Sequence, residues 1–316
     1  MRAIQVSRYG GPEVLVPTEV PAPVPAADQL LIEVGAAGVN YADTHRTDGS
    51  SPTITDLPFI PGSEVVGRTA GGRRVLAPTF GGGGYAELAV VAAAHAVDIP
   101  DRVGDGEALA LLVQGLTAWH LLRNSARLSR GESVVVNAAA GGVGTLAVQL
   151  ARYFGAGRVI AVASTEEKRK LAISLGADVA VDSDPDGYAA RVVAANNDRP
   201  VDVVLESTGG ATFNSALGAL AGFGRLVTYG NAAREGRRPL LDPALLAEHN
   251  LTVAGFWLRP ALKLPGGYRE PLAELFDLVA TGKLQPIIAE YSLTKAREAH
   301  EDLLARRTTG KLVLRP

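Results

Sequence analysis

The 316-residue chain predicts an α/β protein whose second half is a doubly wound parallel sheet with helices on both faces. Three observations lead to this fold class. Strand and helix patterns alternate from Ser133 onward, a glycine-rich turn separates the first strand of that series from its first helix, and the first third of the chain has short apolar segments punctuated by Gly and Pro. The length is sufficient for two domains.

The alternating series rests on hydrophobic periodicity. The β-branched run at 133–137 predicts a buried strand, and Leu146, Leu150 and Phe154 have helical spacing that ends at Gly155. Further strands are predicted at 158–163, 179–181, 201–205, 226–230 and 251–258, and helices at 108–122, 166–175, 188–195 and 213–220. The C-terminal part predicts helices at 271–281 and 294–306, with Thr294 as an N-cap, and a last strand at 311–314.

Composition excludes several classes of function. The net charge is -2 and the basic residues are scattered, so no nucleic-acid partner is expected. The chain has no cysteine, which excludes disulfides, thiolate nucleophiles and cysteine-ligated metal, and its five histidines are far apart, so no metal site is expected. Neither a signal peptide nor an apolar run of membrane-spanning length is present, which favours a cytoplasmic protein without a membrane partner.

The sharpest motif is the run AAGGVG at 139–144, which follows a predicted strand and opens a predicted helix. This is the context of a dinucleotide-binding turn, in which glycine allows close approach of the pyrophosphate and the helix N-terminus presents free N–H groups. The predicted phosphate-binding residues are Ala140, Gly141, Gly142, Val143 and Gly144. Alanine at the first motif position requires a negative φ at Ala139.

The end of the second strand indicates the cofactor. NAD-binding units commonly place an acidic residue there, whereas this strand ends in Ala163, followed by Ser164 and Thr165 and then by Lys168. An acidic side chain would repel a 2′-phosphate, so its replacement by small, hydroxyl and basic residues favours NADP(H). A structural alternative stays open, because Ser164 with Glu167 matches a capping box.

Five segments occur in an order that resembles a known family: residues 38–43 (GVNYAD), 61–64 (PGSE), 114–118 (QGLTA), 138–144 (AAAGGVG) and 310–311 (GK). Together they are similar to the quinone oxidoreductase (zeta-crystallin-like) branch of the zinc-independent medium-chain dehydrogenases/reductases. The resemblance implies a GroES-like β-barrel catalytic domain of 1–113 and 254–316 around a Rossmann NADP(H)-binding domain of 114–253. It also implies a homodimer paired through the strand at 251–258, and an active site in the interdomain cleft.

The same resemblance assigns candidate residues. Zinc-dependent relatives have a metal-binding Cys where this chain has Asn40 and a metal-binding His where it has Ser63, which implies a zinc-independent enzyme and an already electrophilic acceptor. Asn40 and Thr117 would lie near the nicotinamide as catalytic and cofactor-binding residues. Tyr41 and His45 are the nearby candidates for a proton donor.

Other implied cofactor contacts come from later segments. They are Gly230 and Asn231 at a strand end, Ser183 near the adenosine phosphate, where relatives often have Tyr, and Phe256 and Lys311 at the cofactor rim. Simpler roles stay open for three residues: Asn40 bonding its own loop, Thr117 bonding within its helix, and Lys311 as an exposed strand residue.

Three functions are therefore compared: an NADPH:quinone reductase, an NADPH-dependent C=C reductase of an enone, alkenal or biosynthetic intermediate, and a non-catalytic NADPH-binding protein. The first two share the same hydride transfer to a small-molecule acceptor, so the sequence separates them poorly. The tyrosine that enoyl-thioester reductases of the wider family use as a proposed proton donor is absent, because Gly49 is followed by Ser50 and Ser51.

Overall fold

The computed structural model describes residues 1–53, 55–234 and 240–316. The strands are β1 (Arg2–Gln5), β2 (Val16–Glu19), β3 (Gln29–Val39), β4 (Glu64–Thr69), β5 (Arg74–Pro78), β6 (Leu88–Ala92), β7 (Val97–Asp98), β8 (Ser133–Val136), β9 (Arg158–Val162), β10 (Val179–Val181), β11 (Val201–Glu206), β12 (Leu220–Thr228), β13 (Thr252–Gly255), β14 (Ile288–Ser292) and β15 (Lys311–Arg315). The helices are α1 (Tyr41–Thr47), α2 (Asp105–Ala110), α3 (Leu116–His120), α4 (Gly142–Tyr153), α5 (Glu166–Ser174), α6 (Tyr188–Ala195), α7 (Gly210–Leu217), α8 (Pro243–His249), α9 (Leu258–Ala261), α10 (Arg269–Ala280) and α11 (Ala296–Leu304).

The chain divides into two compact units, one of Met1–Gln114 with Leu272–Pro316 and the other of Gly115–Pro271. The sequence placed the second junction at 253, whereas the structure keeps residues 254–271 with the second unit. A physical reason is visible in α3, where the buried His120 ring contacts the carbonyl oxygen of Gly267 at 2.8 Å and holds the segment after β13 against that helix.

The first unit is built on a seven-stranded sheet. Its order is β14-β15-β3-β4-β5-β7, and β6 pairs with β3. The pairs are antiparallel except for β14 with β15. β1 and β2 form a separate two-stranded sheet, so Pro17 on β2 lies in an edge strand, where proline is tolerated. A buried cluster that includes Ile32, Val65 and Leu312 forms the core of this unit.

The second unit is built on a six-stranded parallel sheet in the order β10-β9-β8-β11-β12-β13. The predicted fold class is confirmed here, because strand order reverses between β8 and β11 as in a doubly wound sheet. Parallel strands bring their carboxyl ends to one edge, and ligands bind at such a reversal point. The glycine-rich turn and the carboxyl ends of the later strands therefore lie together at this edge.

Several local predictions need correction. Thr294 is not the N-cap of the last helix, because residues 293–295 form a 3₁₀ turn and α11 begins after Lys295. The predicted strand at 251–258 is shorter, since β13 ends at Gly255 and α9 follows. Helix α8 was not predicted, although Asp242 caps it through a bond from Ala244 N at 2.9 Å and Pro243 opens it, which is a standard start signal.

Candidate functional site

The glycine-rich turn joins β8 to α4 in the predicted way. Gly141 is the N-cap of α4 with φ −79°, and none of the described side chains caps this helix. The first N–H groups of a helix have no intrahelical acceptor, so α4 presents them at the carboxyl edge of the sheet. Ala139 has a negative φ, as the motif required, because the left-handed residue of the turn is Ala138 with φ 49°.

The two motif glycines have different physical reasons. A Cβ on Gly144 would lie 2.7 Å from the Cα of Ala139, so this glycine allows the helix to pack on the strand. A Cβ on Gly141 would meet Ala138 O at 3.2 Å and otherwise point into open space. Gly141, Gly142 and Val143 are half-exposed. The turn is thus closed on the protein side and open on the side where a pyrophosphate would approach.

The carboxyl ends of β9 and β10 are joined by Arg169. Its Nη1 donates to Ala163 O at 3.0 Å, to Ser164 O at 3.2 Å and to Asp182 Oδ2 at 2.8 Å. Asp182 is not among the site residues predicted from the sequence, and the half-buried Ser183, which is, follows it. Hydrogen bonding from the Asp184 N–H, with a further contribution from Arg169, holds the pKa of the Asp182 carboxyl below its usual value.

The alternative role of Ser164 as a helix cap is wrong. Thr165 is the N-cap of α5, and its hydroxyl accepts from Lys168 N at 3.3 Å. Ser164 is exposed one residue earlier, at the end of β9. Its hydroxyl is therefore not required by the helix.

A buried carboxylate supports the loop after β11. Glu206 accepts from the backbone N–H groups of Thr208 at 2.6 Å and Gly209 at 3.0 Å, and burial raises the pKa of its carboxyl. Gly209 has φ 79°, and a Cβ there would lie 2.5 Å from Asn231 Oδ1. Glu206 thus fixes the loop on which Asn231 packs, and Gly230 and Asn231 lie at the carboxyl edge as expected.

Thr117 lies on α3, where it is 8% exposed, and Phe256 follows β13 in the same unit. The Phe256 ring stacks on the His120 ring with centroids 6.0 Å apart. Burial lowers the pKa of His120, so the ring is neutral; Nε2–H donates to Gly267 O, and Nδ1 accepts from Asn124 Nδ2 at 2.7 Å. His120 therefore gives Phe256 a fixed surface to pack on.

In the first unit, Asn40 belongs to a buried polar cluster that the sequence did not reveal. Lys311 and Glu64 form an ion pair with side chains 1% and 0% exposed. Asn40 Nδ2 donates to Glu64 Oε1 at 2.8 Å, and Asn40 Oδ1 accepts from Lys311 Nζ at 3.0 Å. Gln114 Nε2 also donates to Asn40 Oδ1, at 3.3 Å. The alternative view of Lys311 as an exposed strand residue is wrong.

A second set of polar groups continues from this cluster. Asp43 accepts from Asn40 N at 2.9 Å and from Ser63 Oγ at 2.9 Å, and Tyr85 Oη contacts both Asp43 Oδ2 at 3.2 Å and His300 Nε2 at 3.1 Å. Burial raises the pKa of Asp43 and lowers the pKa of His300 to about 4. This chain of contacts fixes the start of α1, which carries Asn40 as its N-cap.

The candidate proton donors Tyr41 and His45 both lie on α1. Tyr41 is half-buried, and its ring meets the His45 ring edge-on with centroids 5.4 Å apart. His45 Nδ1 lies 2.7 Å from Ser50 Oγ.

Within the described residues, no cluster of three or more His, Asp or Glu side chains could hold a metal ion. No described helix has the length and apolar character needed to span a membrane.

Comparison with known proteins gives the family. Residues 26–101 match the alcohol dehydrogenase GroES-like domain, and residues 142–279 match the zinc-binding dehydrogenase family. The quinone oxidoreductase of Pseudomonas aeruginosa is 33% identical over 100% of this chain and 99% of its own length. The chain belongs to the quinone oxidoreductase family. The predicted family and the GroES-like and Rossmann fold class are confirmed, and the chain is an oxidoreductase.

Two further relatives of this chain bear on its cofactor and its acceptor. The quinone oxidoreductase from Thermus thermophilus, solved also in complex with NADPH, is 36% identical with a TM-score of 0.89, and the match covers 100% of both chains. A phenolphthiocerol/phthiocerol polyketide synthase subunit of Mycobacterium tuberculosis is 32% identical over 98% of this chain but only 14% of its own length.

Proposed function

We propose that this chain reduces a quinone-type acceptor with NADPH. The observation that carries the proposal is the turn at 138–144, where an uncapped helix N-terminus and an open Gly141 fit a pyrophosphate at the carboxyl edge of a doubly wound sheet. The NADPH complex of the Thermus thermophilus relative supports the same cofactor here. Bound NADPH supplies a hydride, which is two electrons and a proton nucleus delivered together.

The residues that would hold the cofactor follow from their place at this edge. The backbone of 140–144 would bind the pyrophosphate, and Gly230 and Asn231 would line the neighbouring strand end. Ser164, Thr165, Lys168 and Ser183 would face the adenosine side, where Arg169 already offsets the charge of Asp182. The absence of an acidic residue at 163–165 favours a 2′-phosphate.

Asn40 and Thr117 would contact the reacting end of the cofactor, with Phe256 at its rim. Asn40 is held by charged partners rather than by its own loop, which supports a role beyond local turn formation. The reduced quinone oxygen takes its proton from water, so the step requires no protein acid. Tyr41 and His45, which lie on α1 just after Asn40, are the candidate side chains for such a proton transfer.

The deciding experiment is a parallel titration of the purified protein with NADPH and NADH by fluorescence, followed by turnover with 1,4-naphthoquinone. We expect NADPH to bind at least about tenfold more tightly, because about 1.4 kcal/mol of phosphate recognition corresponds to that ratio. Binding of neither nucleotide would contradict the proposal. Tight NADPH binding without turnover of any quinone or enone would instead indicate a non-catalytic protein.

A C=C reductase is the second candidate, and the similarity to a polyketide synthase subunit favours it. Both activities consume NADPH, so the acceptor separates them. The purified protein is assayed with 1,4-naphthoquinone and with an α,β-unsaturated ketone and thioester at equal concentration. A kcat/KM higher for the quinone supports the first candidate, and a higher value for either alkene supports the second.

Zinc independence is part of the proposal. The chain lacks cysteine, Asn40 is engaged by Lys311 and Glu64, and Ser63 Oγ donates to Asp43 at 2.9 Å. We expect zinc well below one equivalent per chain by mass spectrometry and an unchanged rate after EDTA treatment. Stoichiometric zinc with an EDTA-sensitive rate would contradict this part.

We also propose a homodimer through β13, which forms one end of the six-stranded order. An edge strand with unpaired backbone groups invites strand pairing with a second copy. Phe223 on the neighbouring strand β12 and Trp257 just after β13 are 74% and 51% exposed. Sedimentation should give a dimer for the wild type and a monomer for Thr252→Lys, which places charge on the edge strand. A monomeric wild type would contradict the proposal.

A further inference from the structure

Lys311, Glu64 and Asn40 form a closed triangle of interactions in the interior of the first unit. Lys311 and Glu64 form an ion pair, Lys311 Nζ donates to Asn40 Oδ1 at 3.0 Å, and Asn40 Nδ2 donates to Glu64 Oε1 at 2.8 Å. Glu64 Oε2 accepts from Val113 N at 3.0 Å. Asn40 is 3% exposed, so water does not compete for these contacts.

The charges of this triangle permit one orientation of the Asn40 amide. An ammonium group only donates hydrogen bonds, and an ionised carboxylate only accepts them. Turning the amide by half a rotation would place Nδ2 against the Lys311 ammonium and Oδ1 against the Glu64 carboxylate, which are two unfavourable contacts in a low-dielectric interior. An uncharged pair at 311 and 64 would not impose this choice.

The fixed amide orientation passes to Gln114. Because Asn40 Oδ1 is an acceptor, Gln114 must present Nε2 to it, as it does at 3.3 Å. Gln114 Oε1 is then turned away, and this buried oxygen has no hydrogen-bond partner among the described residues. Asn40 likewise gives one amide hydrogen to Glu64 and retains a second. The cluster thus contains an uncommitted donor and an uncommitted acceptor on adjacent amides.

We propose that Lys311 and Glu64 are positioning residues that fix the amide polarity of Asn40 and, through it, of Gln114. The inference rests on the proposed function, in which Asn40 contacts the reacting end of the cofactor. In this arrangement the second Asn40 N–H is the group that donates to a bound oxygen, while the buried Gln114 Oε1 is kept turned away from Asn40. Lys311 then acts through Asn40 and does not bind the cofactor itself, in contrast to the place at the cofactor rim that the family resemblance implied.

The test compares Lys311→Met, Glu64→Gln and the double variant, with NADPH and 1,4-naphthoquinone. Each single change leaves a buried charge without its partner, so both should lower the melting temperature. Both should also lower kcat by about tenfold to a hundredfold, the range for a misplaced group near the chemistry. The NADPH Kd should stay within about twofold of wild type, because no phosphate contact is removed.

The double variant separates positioning from stability. It removes both charges, so most of the lost melting temperature should return, but kcat should stay low because the Asn40 amide is no longer fixed. Ile4→Ala is the matched control: Ile4 is buried in the core of the same unit, so the change should lower the melting temperature while kcat is retained.

Three results would overturn the inference. A double variant that regains both melting temperature and kcat would make the ion pair purely structural. A Lys311→Met variant whose NADPH Kd rises as much as its kcat/KM falls would make Lys311 a cofactor ligand. Single variants with wild-type kcat would remove the role altogether. A wild-type protein without turnover would instead remove the proposed function on which the inference depends.

Discussion

The turn at 138–144 and the buried cluster of Asn40, Glu64, Gln114 and Lys311 are opposite kinds of polar site. The turn is made of backbone N–H groups and glycines, and its outer residues are half-exposed. The cluster is made of side chains, two of them charged, and each is less than a tenth exposed. The turn is open to a ligand, whereas the cluster is mostly saturated by its own members.

This difference determines what a mutation does in each region. In the turn, an added side chain meets little protein and occupies ligand space, so binding should change more than stability. In the cluster, a removed side chain leaves a partner buried without compensation, so stability should change together with activity.

The largest effect is expected for Gly141→Val. The valine side chain would extend from the open face of the turn into the space of the pyrophosphate, so NADPH binding should weaken at least about a hundredfold, or about 2.7 kcal/mol. The melting temperature should stay close to that of wild type, because a Cβ here meets protein only at Ala138 O. Fluorescence titration and circular dichroism give the two values.

Gly218→Val is the matched control for Gly141→Val. Gly218 ends α7 in the same unit, is exposed, and would hold a Cβ in ordinary contact at 3.5 Å from Ser215 O. Its NADPH affinity should equal that of wild type. Retained NADPH affinity in Gly141→Val would remove the assignment of this turn to the cofactor.

The two sites were unequally accessible to prediction from the sequence. The turn is contiguous, and its strand, glycines and helix are local patterns, so its residues could be named in advance. Asn40, Glu64 and Lys311 are far apart in the chain and meet through the pairing of β15 with β3 and of β3 with β4, whereas Gln114 reaches them from the helical segment Leu111–Gly115. No local pattern encodes that register, and for this reason the sequence left Lys311 either at a cofactor rim or in solvent.

The same reason explains the smaller misses. Asp182 and Glu206 follow strand ends that were predicted, yet their roles depend on partners on other segments, as with Arg169 and Asp182. By contrast, Asp242 and Pro243 form a local helix start signal that the sequence alone contains. Local signals therefore account for most elements and for the turn, and long-range packing accounts for most of the charged contacts.

An effect of similar size is a pH dependence of stability that arises beside the cluster. Burial lowers the pKa of His300 from 6.5 to about 4, so the unfolded chain binds more protons between these values. The free energy of unfolding should be highest above pH 6.5 and fall as pH drops toward 4, by about 3 kcal/mol from this group. Urea denaturation at several pH values measures the slope.

His300→Gln supplies the comparison, because glutamine retains a polar atom for Tyr85 without titrating. The variant should lack the His300 part of the slope. Burial also raises the pKa of Asp43, so protonation of this carboxyl increases the free energy of unfolding as pH falls and opposes the effect of His300. The difference in slope between the variant and the wild type is therefore the informative quantity. Equal slopes for both proteins would show that His300 does not titrate in this way.

An intermediate effect is expected for Gly38→Ala, which tests the cluster as Gly141→Val tests the turn. A Cβ on Gly38 would lie 2.7 Å from both Lys311 Nζ and Glu64 Cγ. Gly38 has no positive φ, so the alanine would act by crowding the ion pair and should lower the free energy of unfolding by about 1–3 kcal/mol. Gly71→Ala, with a Cβ no nearer than 3.9 Å to Thr69 Oγ1, is the control. An unchanged free energy of unfolding for Gly38→Ala would mean that the ion pair has room to move.

The smallest effect concerns cofactor preference at the end of β9. Ala163 is buried, so an acidic residue there would also perturb packing, whereas Ser164 is exposed. Ser164→Asp adds a negative charge where a 2′-phosphate is proposed, and the ratio of the NADH Kd to the NADPH Kd should fall about tenfold, or about 1.4 kcal/mol. Ser164→Asn has the same shape without the charge and should leave the ratio near that of wild type.

Because charge repulsion is screened by salt, the effect of Ser164→Asp should shrink between 0.05 and 0.5 M NaCl, about a threefold change in Debye length. A ratio that Ser164→Asp and Ser164→Asn alter equally would place the phosphate away from this strand end, and the exposed hydroxyl would have no part in choosing the cofactor.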